Sequence, residues 1–128
     1  MQIHQSAEDY LETILMLNQR MGRVRSIDVV NELGYTKASV SIAMKKLREN
    51  GYIAVDGEGN LALLEPGREI AERIYSRHRL LTHFFVQLGV DEEVAAEDAC
   101  KAEHILSEQT LEKIREYALL HDAQDSVK

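Results

Sequence analysis

The residue types best able to bind a metal ion cluster in the second half of the chain. Cys100, Glu103 and His104 stand at positions i, i+3 and i+4, and on an α-helix that spacing stacks the three side chains on one face. A thiolate, a carboxylate and an imidazole that converge in this way predict half of a divalent-metal site. The pattern is weak by itself, because a single cysteine is more often a small buried hydrophobe. Support must come from other parts of the chain.

The composition is that of an ordinary globular protein. Of the 128 residues, 45% are hydrophobic and 29% are charged, which suits one compact unit, or a small domain with a helical extension, that buries a core. The sequence has no signal-peptide pattern and no apolar run long enough to cross a bilayer, so we expect no membrane partner. One cysteine cannot form an internal disulfide, which suits a reducing cytoplasm.

The net charge of −7 is unevenly distributed. Residues 1–64 carry 7 Lys and Arg against 8 Asp and Glu, a net charge of −1, whereas residues 65–128 carry 8 against 14, a net charge of −6. The first half can therefore present a basic face to nucleic acid, although the chain as a whole is acidic.

The first predicted helix begins with Ser6 as its N-cap and ends before Met21, because acids follow the cap and apolar residues recur at helical spacing. Asp9 and Glu12 are three residues apart and share one face of this helix. Two interpretations stay open for them. They are metal ligands, or Asp9 only supports the helix start and Glu12 is solvated.

The next elements predict a helix-turn-helix. Ser26 opens a helix that runs to Leu33 and is closed by Gly34, and Thr36 caps a third helix that runs to about Asn50. Small polar residues at the start of the third helix, followed by lysines, are what a recognition helix needs to approach base edges and phosphates. The predicted DNA contacts are Thr36, Lys37, Ala38, Ser39, Ser41, Lys45 and Lys46.

Two apolar segments, residues 52–55 and 61–64, flank a Gly-rich turn at residues 56–60. This pattern predicts a β-hairpin of the kind called a wing. Three helices followed by a hairpin predict a winged helix-turn-helix domain over residues 1–65 that binds DNA. The alternative is a small α+β domain whose lysines form only a solvated face.

The second half predicts helices alone. Pro66 begins a long helix that runs to about Leu88 with His78 in its middle, and about 22 residues at 1.5 Å each give a rod of roughly 33 Å. Asp91 caps a helix over residues 92–105, and Ser107 caps a last helix over residues 108–120. Each has one apolar side, which a homodimer interface would bury. Residues 66–128 are therefore predicted to be a linker helix plus a helical metal-binding and dimerisation domain, and the fold class is mainly α with a small β-hairpin.

Motifs from both halves resemble the diphtheria toxin repressor family of metal-dependent transcriptional repressors, in particular its short two-domain manganese transport regulator branch. The resemblance extends from Ser6 to about Leu120 and combines a helix-turn-helix with potential metal ligands. The motifs that carry it are residues 8–12, 38–41, 77–81, 89–93 and 97–104.

The resemblance implies a set of metal ligands that draws on both halves of the chain. They are Asp9, Glu12, His78, Cys100, Glu103 and His104. The manganese branch has a carboxylate where this chain has Cys100, and the iron-responsive branch has Cys there but Met where this chain has Asp9. A thiolate favours Fe(II) over Mn(II), whereas carboxylates suit harder ions. We therefore expect Fe(II) first and Mn(II) next.

The function that the resemblance implies is metal-dependent repression without enzymatic activity. Metal binding is expected to orient the two winged-helix heads of a homodimer on a palindromic operator of metal-uptake genes. Two alternatives stay open. A winged-helix regulator could sense an organic effector instead, or a small metalloenzyme could use the Cys, Glu and His cluster. The enzyme leaves the helix-turn-helix unexplained, and the sequence contains no nucleophile–base pair or phosphate-binding loop.

Overall fold

In the computed structural model, which describes residues 5–127, the chain divides between Arg73 and Ile74 into two compact units. The helices are α1 (Gln5–Met21), α2 (Ser26–Leu33), α3 (Lys37–Glu49), α4 (Glu65–Gln87), α5 (Glu92–Ala102) and α6 (Glu108–Val127). The strands are β1 (Ile53–Val55) and β2 (Leu61–Leu63). The predicted fold class, mainly α with a small β-hairpin, is confirmed. The division falls inside α4, and the domain boundary after residue 65 stays a prediction.

Helices α2 and α3 form the predicted helix-turn-helix in the first unit. Gly34 ends α2 in the left-handed conformation, with a φ of 72°, which glycine adopts without steric strain. The Thr36 hydroxyl accepts a hydrogen bond from the Ser39 N–H at 3.1 Å and caps α3, as predicted. Tyr35 in the turn packs edge-to-face on Tyr10 of α1, with 5.8 Å between the ring centroids. This contact ties α1 to the turn that positions α3.

The core of the first unit lies between these helices and the hairpin. Val40, Met44 and Leu47 of α3 are 0%, 4% and 6% exposed, so one side of this helix packs into the core. Gly67, in the first turn of α4, passes so close to the Tyr52 backbone that a Cβ there would overlap the Tyr52 carbonyl oxygen. Only glycine lets α4 begin this close to the hairpin.

The wing is the antiparallel pair β1–β2, and its turn is organised by Asp56. The register pairs are Ile53–Leu63, Ala54–Ala62 and Val55–Leu61. The Asp56 carboxylate accepts hydrogen bonds from the N–H groups of Glu58 and Asn60 at 2.9 Å and from the Asn60 side-chain amide at 3.0 Å. The bond from the Asn60 side chain is the main cause that lowers the pKa of Asp56 below its usual 3.8. The charged carboxylate therefore holds the turn closed.

The wing is expected to depend on this charge. Because folding lowers the pKa of Asp56, its contribution to stability is present above the unfolded pKa and is lost as the pH falls through the folded pKa. In Asp56→Ala we expect the wing amides to exchange with solvent several-fold faster at neutral pH, measured as NMR protection factors. Asp56→Asn keeps an acceptor oxygen and has no charge to titrate, so its protection factors should not fall with acid. Wild-type protection in Asp56→Ala would contradict this role.

A small apolar core holds the second unit together. Leu81, Ala99 and Leu111, from α4, α5 and α6, are buried. The residues packed against them are Leu80, Phe85, Ala102, Leu106 and Ile114. The Ser107 hydroxyl accepts a hydrogen bond from the Thr110 N–H at 3.1 Å and caps α6 as predicted. In the part of the chain that the structure describes, no helix is both long and apolar enough to span a membrane.

The start of α1 and the end of α6 differ from the prediction. Helix α1 already includes Ser6, so the prediction of Ser6 as N-cap is wrong. A serine followed by acids locates a helix start only to within a residue or two. Helix α6 continues beyond Leu120 to Val127, because the polar residues that follow include no glycine or proline to end it.

Candidate functional site

A buried carboxylate lies between two imidazoles in the second unit. Glu103 is fully buried, and its Oε2 lies 3.0 Å from Nδ1 of His78 on α4. Its Oε1 lies 3.4 Å from Nε2 of His104, whose side chain is 2% exposed. Three of the six predicted metal ligands therefore lie together within this unit.

The surroundings of Glu103 suit a metal ion. No described residue donates a hydrogen bond to Glu103 Oε1, although burying a carboxylate without full compensation is strongly unfavourable. A cation at this position would neutralise the buried charge. Imidazole and carboxylate groups are also ligands that first-row transition metals accept. The donor set therefore fits a divalent transition-metal ion.

Glu103 and His104 lie beyond the end of α5, so the predicted helix to residue 105 is wrong. The helix ends at Ala102, and both N–H groups that follow His104 donate to the Ala102 carbonyl. The chain leaves the helix here because Ser107 begins the next helix shortly afterwards. Cys100 is exposed on α5, whereas the side chains of Glu103 and His104 are buried.

The remaining predicted ligands differ in burial. Glu12, on α1 in the first unit, is 5% exposed, so the interpretation of Glu12 as a solvated acid is wrong. Asp9, almost one turn earlier on α1, is half-buried. Cys100 belongs to no cluster in which three potential ligand atoms converge, as far as the described residues go. Its role as a ligand stays a prediction.

Sequence reasoning missed Arg77, which holds the segment between α5 and α6. Its Nη1 donates to the Glu103 carbonyl oxygen at 3.2 Å, and its guanidinium forms an ion pair with Glu108 at the start of α6. The Arg77 side chain is only 15% exposed. No signal in the sequence identifies these partners, which lie more than 25 residues away along the chain. Arg77 thus positions the ligand-bearing segment against α4.

Replacing Arg77 is expected to weaken metal binding without removing a ligand. In Arg77→Ala we expect the affinity for Mn(II), measured by calorimetry, to fall about 10- to 100-fold, the range typical for loss of an outer-shell partner. The free energy of unfolding should fall by about 1–3 kcal/mol, because the Glu103 carbonyl loses its donor. Arg77→Lys should recover only part of both, since an ammonium lacks the forked geometry.

The neighbouring Arg79 offers the matched control for this prediction. Its guanidinium lies 5.9 Å from the Tyr75 ring centroid, and Arg79 is exposed. Arg79→Ala should bind Mn(II) as the wild type does. If Arg77→Ala also kept the wild-type affinity, Arg77 would have no positioning role.

The predicted DNA contacts all lie on the exposed side of α3 and at its cap. The Thr36 hydroxyl also donates to the Ser39 hydroxyl at 2.9 Å, so both small side chains are held at the start of the helix. Their contact with DNA stays a prediction. The exposed residues are Thr36, Lys37, Ala38, Ser39, Ser41, Lys45 and Lys46.

Two family profiles match the chain, one for a DNA-binding domain and one for a metal-binding and dimerisation domain. The profile described as "Iron dependent repressor, N-terminal DNA binding domain" matches residues 2–61. The profile described as "Iron dependent repressor, metal binding and dimerisation domain" matches residues 64–120. The helix-turn-helix and wing lie in the first match, and the cluster around Glu103 lies in the second.

Curated relatives match over most of their own length. An HTH-type transcriptional regulator of Methanocaldococcus jannaschii is 35% identical over 113 residues, which are 87% of this chain and 90% of that protein. The HTH-type transcriptional regulator MntR of Bacillus subtilis is 32% identical over 123 residues, which are 96% of this chain and 87% of that protein.

A solved structure of a manganese-dependent transcriptional repressor in complex with manganese has the same fold, with a TM-score of 0.80 and 27% identity. The match covers 88% of this chain and 52% of that one, so this chain spans about half the length of that protein. The profiles and the relatives together cover nearly the whole sequence. The chain therefore belongs to the diphtheria toxin repressor family of metal-dependent transcriptional repressors.

Proposed function

We propose that the protein is a homodimeric repressor that, with Fe(II) or Mn(II) bound, binds a palindromic operator of metal-uptake genes in the cytoplasm. The observation that carries the proposal is the buried Glu103 carboxylate, with His78 and His104 on its two oxygens. This cluster lies within the match to the metal-binding and dimerisation profile. The match to the iron-dependent repressor profiles and the likeness to a manganese-dependent repressor structure that contains manganese support the choice of these two metals.

The proposed ligands belong to both units of the chain, so metal binding can affect DNA binding. Two of the ligands belong to the unit that contains the helix-turn-helix, and four belong to the unit that matches the metal-binding profile. A bound ion supplies binding free energy only to those arrangements of the chain that gather its ligands. The proposed ligands are Asp9, Glu12, His78, Cys100, Glu103 and His104.

A homodimer is supported by apolar side chains left at the surface of the second unit. This unit matches a dimerisation profile, and a dimer interface would bury exposed apolar side chains of this kind. A two-fold dimer presents two recognition helices, which suits half-sites about one DNA turn apart. The side chains, which are 46–76% exposed, are Leu88, Val94, Ile105, Tyr117, Leu119 and Leu120.

The direct test measures DNA binding as a function of metal. Operator duplexes are first selected from a random library with metal-loaded protein, and the chelator-treated protein is then titrated onto them by fluorescence anisotropy. Fe(II), under anaerobic conditions, or Mn(II) should restore tight binding, Mg(II) should not, and EDTA should reverse the effect. Binding that is indifferent to all of these metals would favour an organic effector instead.

The preference between iron and manganese is expected to depend on Cys100. If its thiolate is a ligand, Cys100→Asp replaces a soft ligand by a hard one and should shift the half-maximal activating concentrations toward Mn(II) and away from Fe(II). We expect a change of about tenfold in the ratio of the two concentrations, which corresponds to about 1.4 kcal/mol. Cys100→Ser tests the loss of the thiolate alone. An unchanged ratio in both variants would exclude Cys100 from the ligand set.

A further inference from the structure

One large apolar residue interrupts the polar exposed side of α3. Ile42 is 58% exposed, and at 3.6 residues per turn it lies nearly opposite the buried residues Val40, Met44 and Leu47. The other exposed residues of this helix are small or charged. They are Lys37, Ala38, Ser39, Ser41, Lys45, Lys46, Arg48 and Glu49.

The neighbours of Ile42 favour close approach to DNA. Ala38 and Ser39, one turn earlier, are small, so the start of α3 can come close to the floor of a major groove. Lys45 and Lys46, one turn later, are exposed cations that suit phosphates at the groove edge. Between them, Ile42 is the side chain with the largest apolar surface to bury.

We propose that Ile42 is a specificity-determining residue that contacts the C5-methyl group of a thymine in each operator half-site. The inference rests on the proposed DNA binding by α3. In the major groove only thymine presents a methyl group, and apolar side chains recognise it by direct contact. The edges of the other bases carry donors and acceptors that would lose water against Ile42 without gaining a partner.

A scattered exposed hydrophobe would by itself be ordinary, but two observations together set Ile42 apart. It lies in the segment that matches the DNA-binding profile, and it lies on the lysine-bearing side of the helix that such a domain inserts into DNA. An apolar surface of a partner protein would meet four exposed cations and one acid around Ile42, which are Lys37, Lys45, Lys46, Arg48 and Glu49. The net positive charge of this face favours the negatively charged DNA duplex as its partner.

Replacing thymine by deoxyuridine tests the contact, because it removes only the methyl group. Each thymine of the selected operator duplex is replaced in turn, and the affinity of the metal-loaded wild type is measured by anisotropy. We expect one position in each half-site at which deoxyuridine weakens binding about fourfold, the factor that corresponds to burying one methyl-sized group.

The Ile42→Ala variant should bind the thymine and deoxyuridine duplexes equally at that position, and Ile42→Val should discriminate less than the wild type. Ile27→Ala is the matched control, because Ile27 is 44% exposed on α2, outside the recognition helix. It should keep the fourfold difference. Circular dichroism and Mn(II) affinity check that each variant is folded. If Ile42→Ala binds DNA too weakly to measure, the comparison of Ile42→Val with the wild type tests the contact.

Two results would overturn the inference. One is a wild type that shows no difference between thymine and deoxyuridine at any position. The other is a set of Ile42 variants that keep the wild-type discrimination. Wild-type binding that ignores metal would contradict the proposed function but would still permit the deoxyuridine scan, so the two failures can be told apart.

Discussion

Glu103→Gln is expected to abolish the response of DNA binding to metal while the protein stays folded. The side chain keeps its shape, but the amide no longer carries the charge that lies between His78 and His104. We expect the Mn(II) affinity, measured by calorimetry, to fall by at least about 100-fold, the upper end of the loss for an outer-shell partner. DNA affinity with metal present should then equal that of the chelator-treated wild type.

The metal-free protein provides an independent check on the same residue. A buried carboxylate with one oxygen that accepts no hydrogen bond from the described residues is unfavourable. Metal-free Glu103→Gln should therefore be at least as resistant to urea as the metal-free wild type. Glu112→Gln is the control, because its side chain is 57% exposed in a surface pair with Arg115. A Glu103→Gln variant with wild-type metal response would refute the proposed role of the cluster.

Local chemistry made most of the first unit predictable. The turn at Gly34, the cap at Thr36 and the hairpin turn at residues 56–60 depend on close neighbours along the chain, and such signals can be read from one sequence. These elements appear where they were predicted.

The details of the second unit depend on contacts that no local pattern records. The end of α5 at Ala102 is set by how soon the next helix must begin. Cys100 is exposed, whereas Glu103, three residues later, is buried. The role of Arg77 depends on a carbonyl oxygen 26 residues away. The resemblance implied which residues are ligands. How deeply they are buried, and which residues position them, depends on packing between distant parts of the chain and cannot be predicted from local patterns.

Asp9→Ala is expected to uncouple DNA binding from metal binding, because Asp9 is a proposed ligand in the unit that contains α3. Asp9 is a half-buried polar residue of α1 and not part of the buried apolar core, so folding and dimerisation should survive. Operator affinity with saturating Mn(II) should fall by the whole metal-dependent factor, about 5- to 150-fold for a typical coupling. The residual Mn(II) affinity should remain measurable, since the second unit keeps its own donors.

Glu8→Gln separates this effect from a general loss of charge on α1. Glu8 is the preceding acid, and its carboxylate lies 3.5 Å from the guanidinium of Arg73 in the same unit. Its replacement should leave the metal response of operator binding unchanged, because a partly exposed pair of this kind contributes little. The ratio of operator affinities with and without Mn(II), compared across the wild type and both variants, decides the matter. If Asp9→Ala kept the wild-type ratio, the metal would have to act on DNA binding through ligands of the second unit alone, and α1 would have no part in the switch.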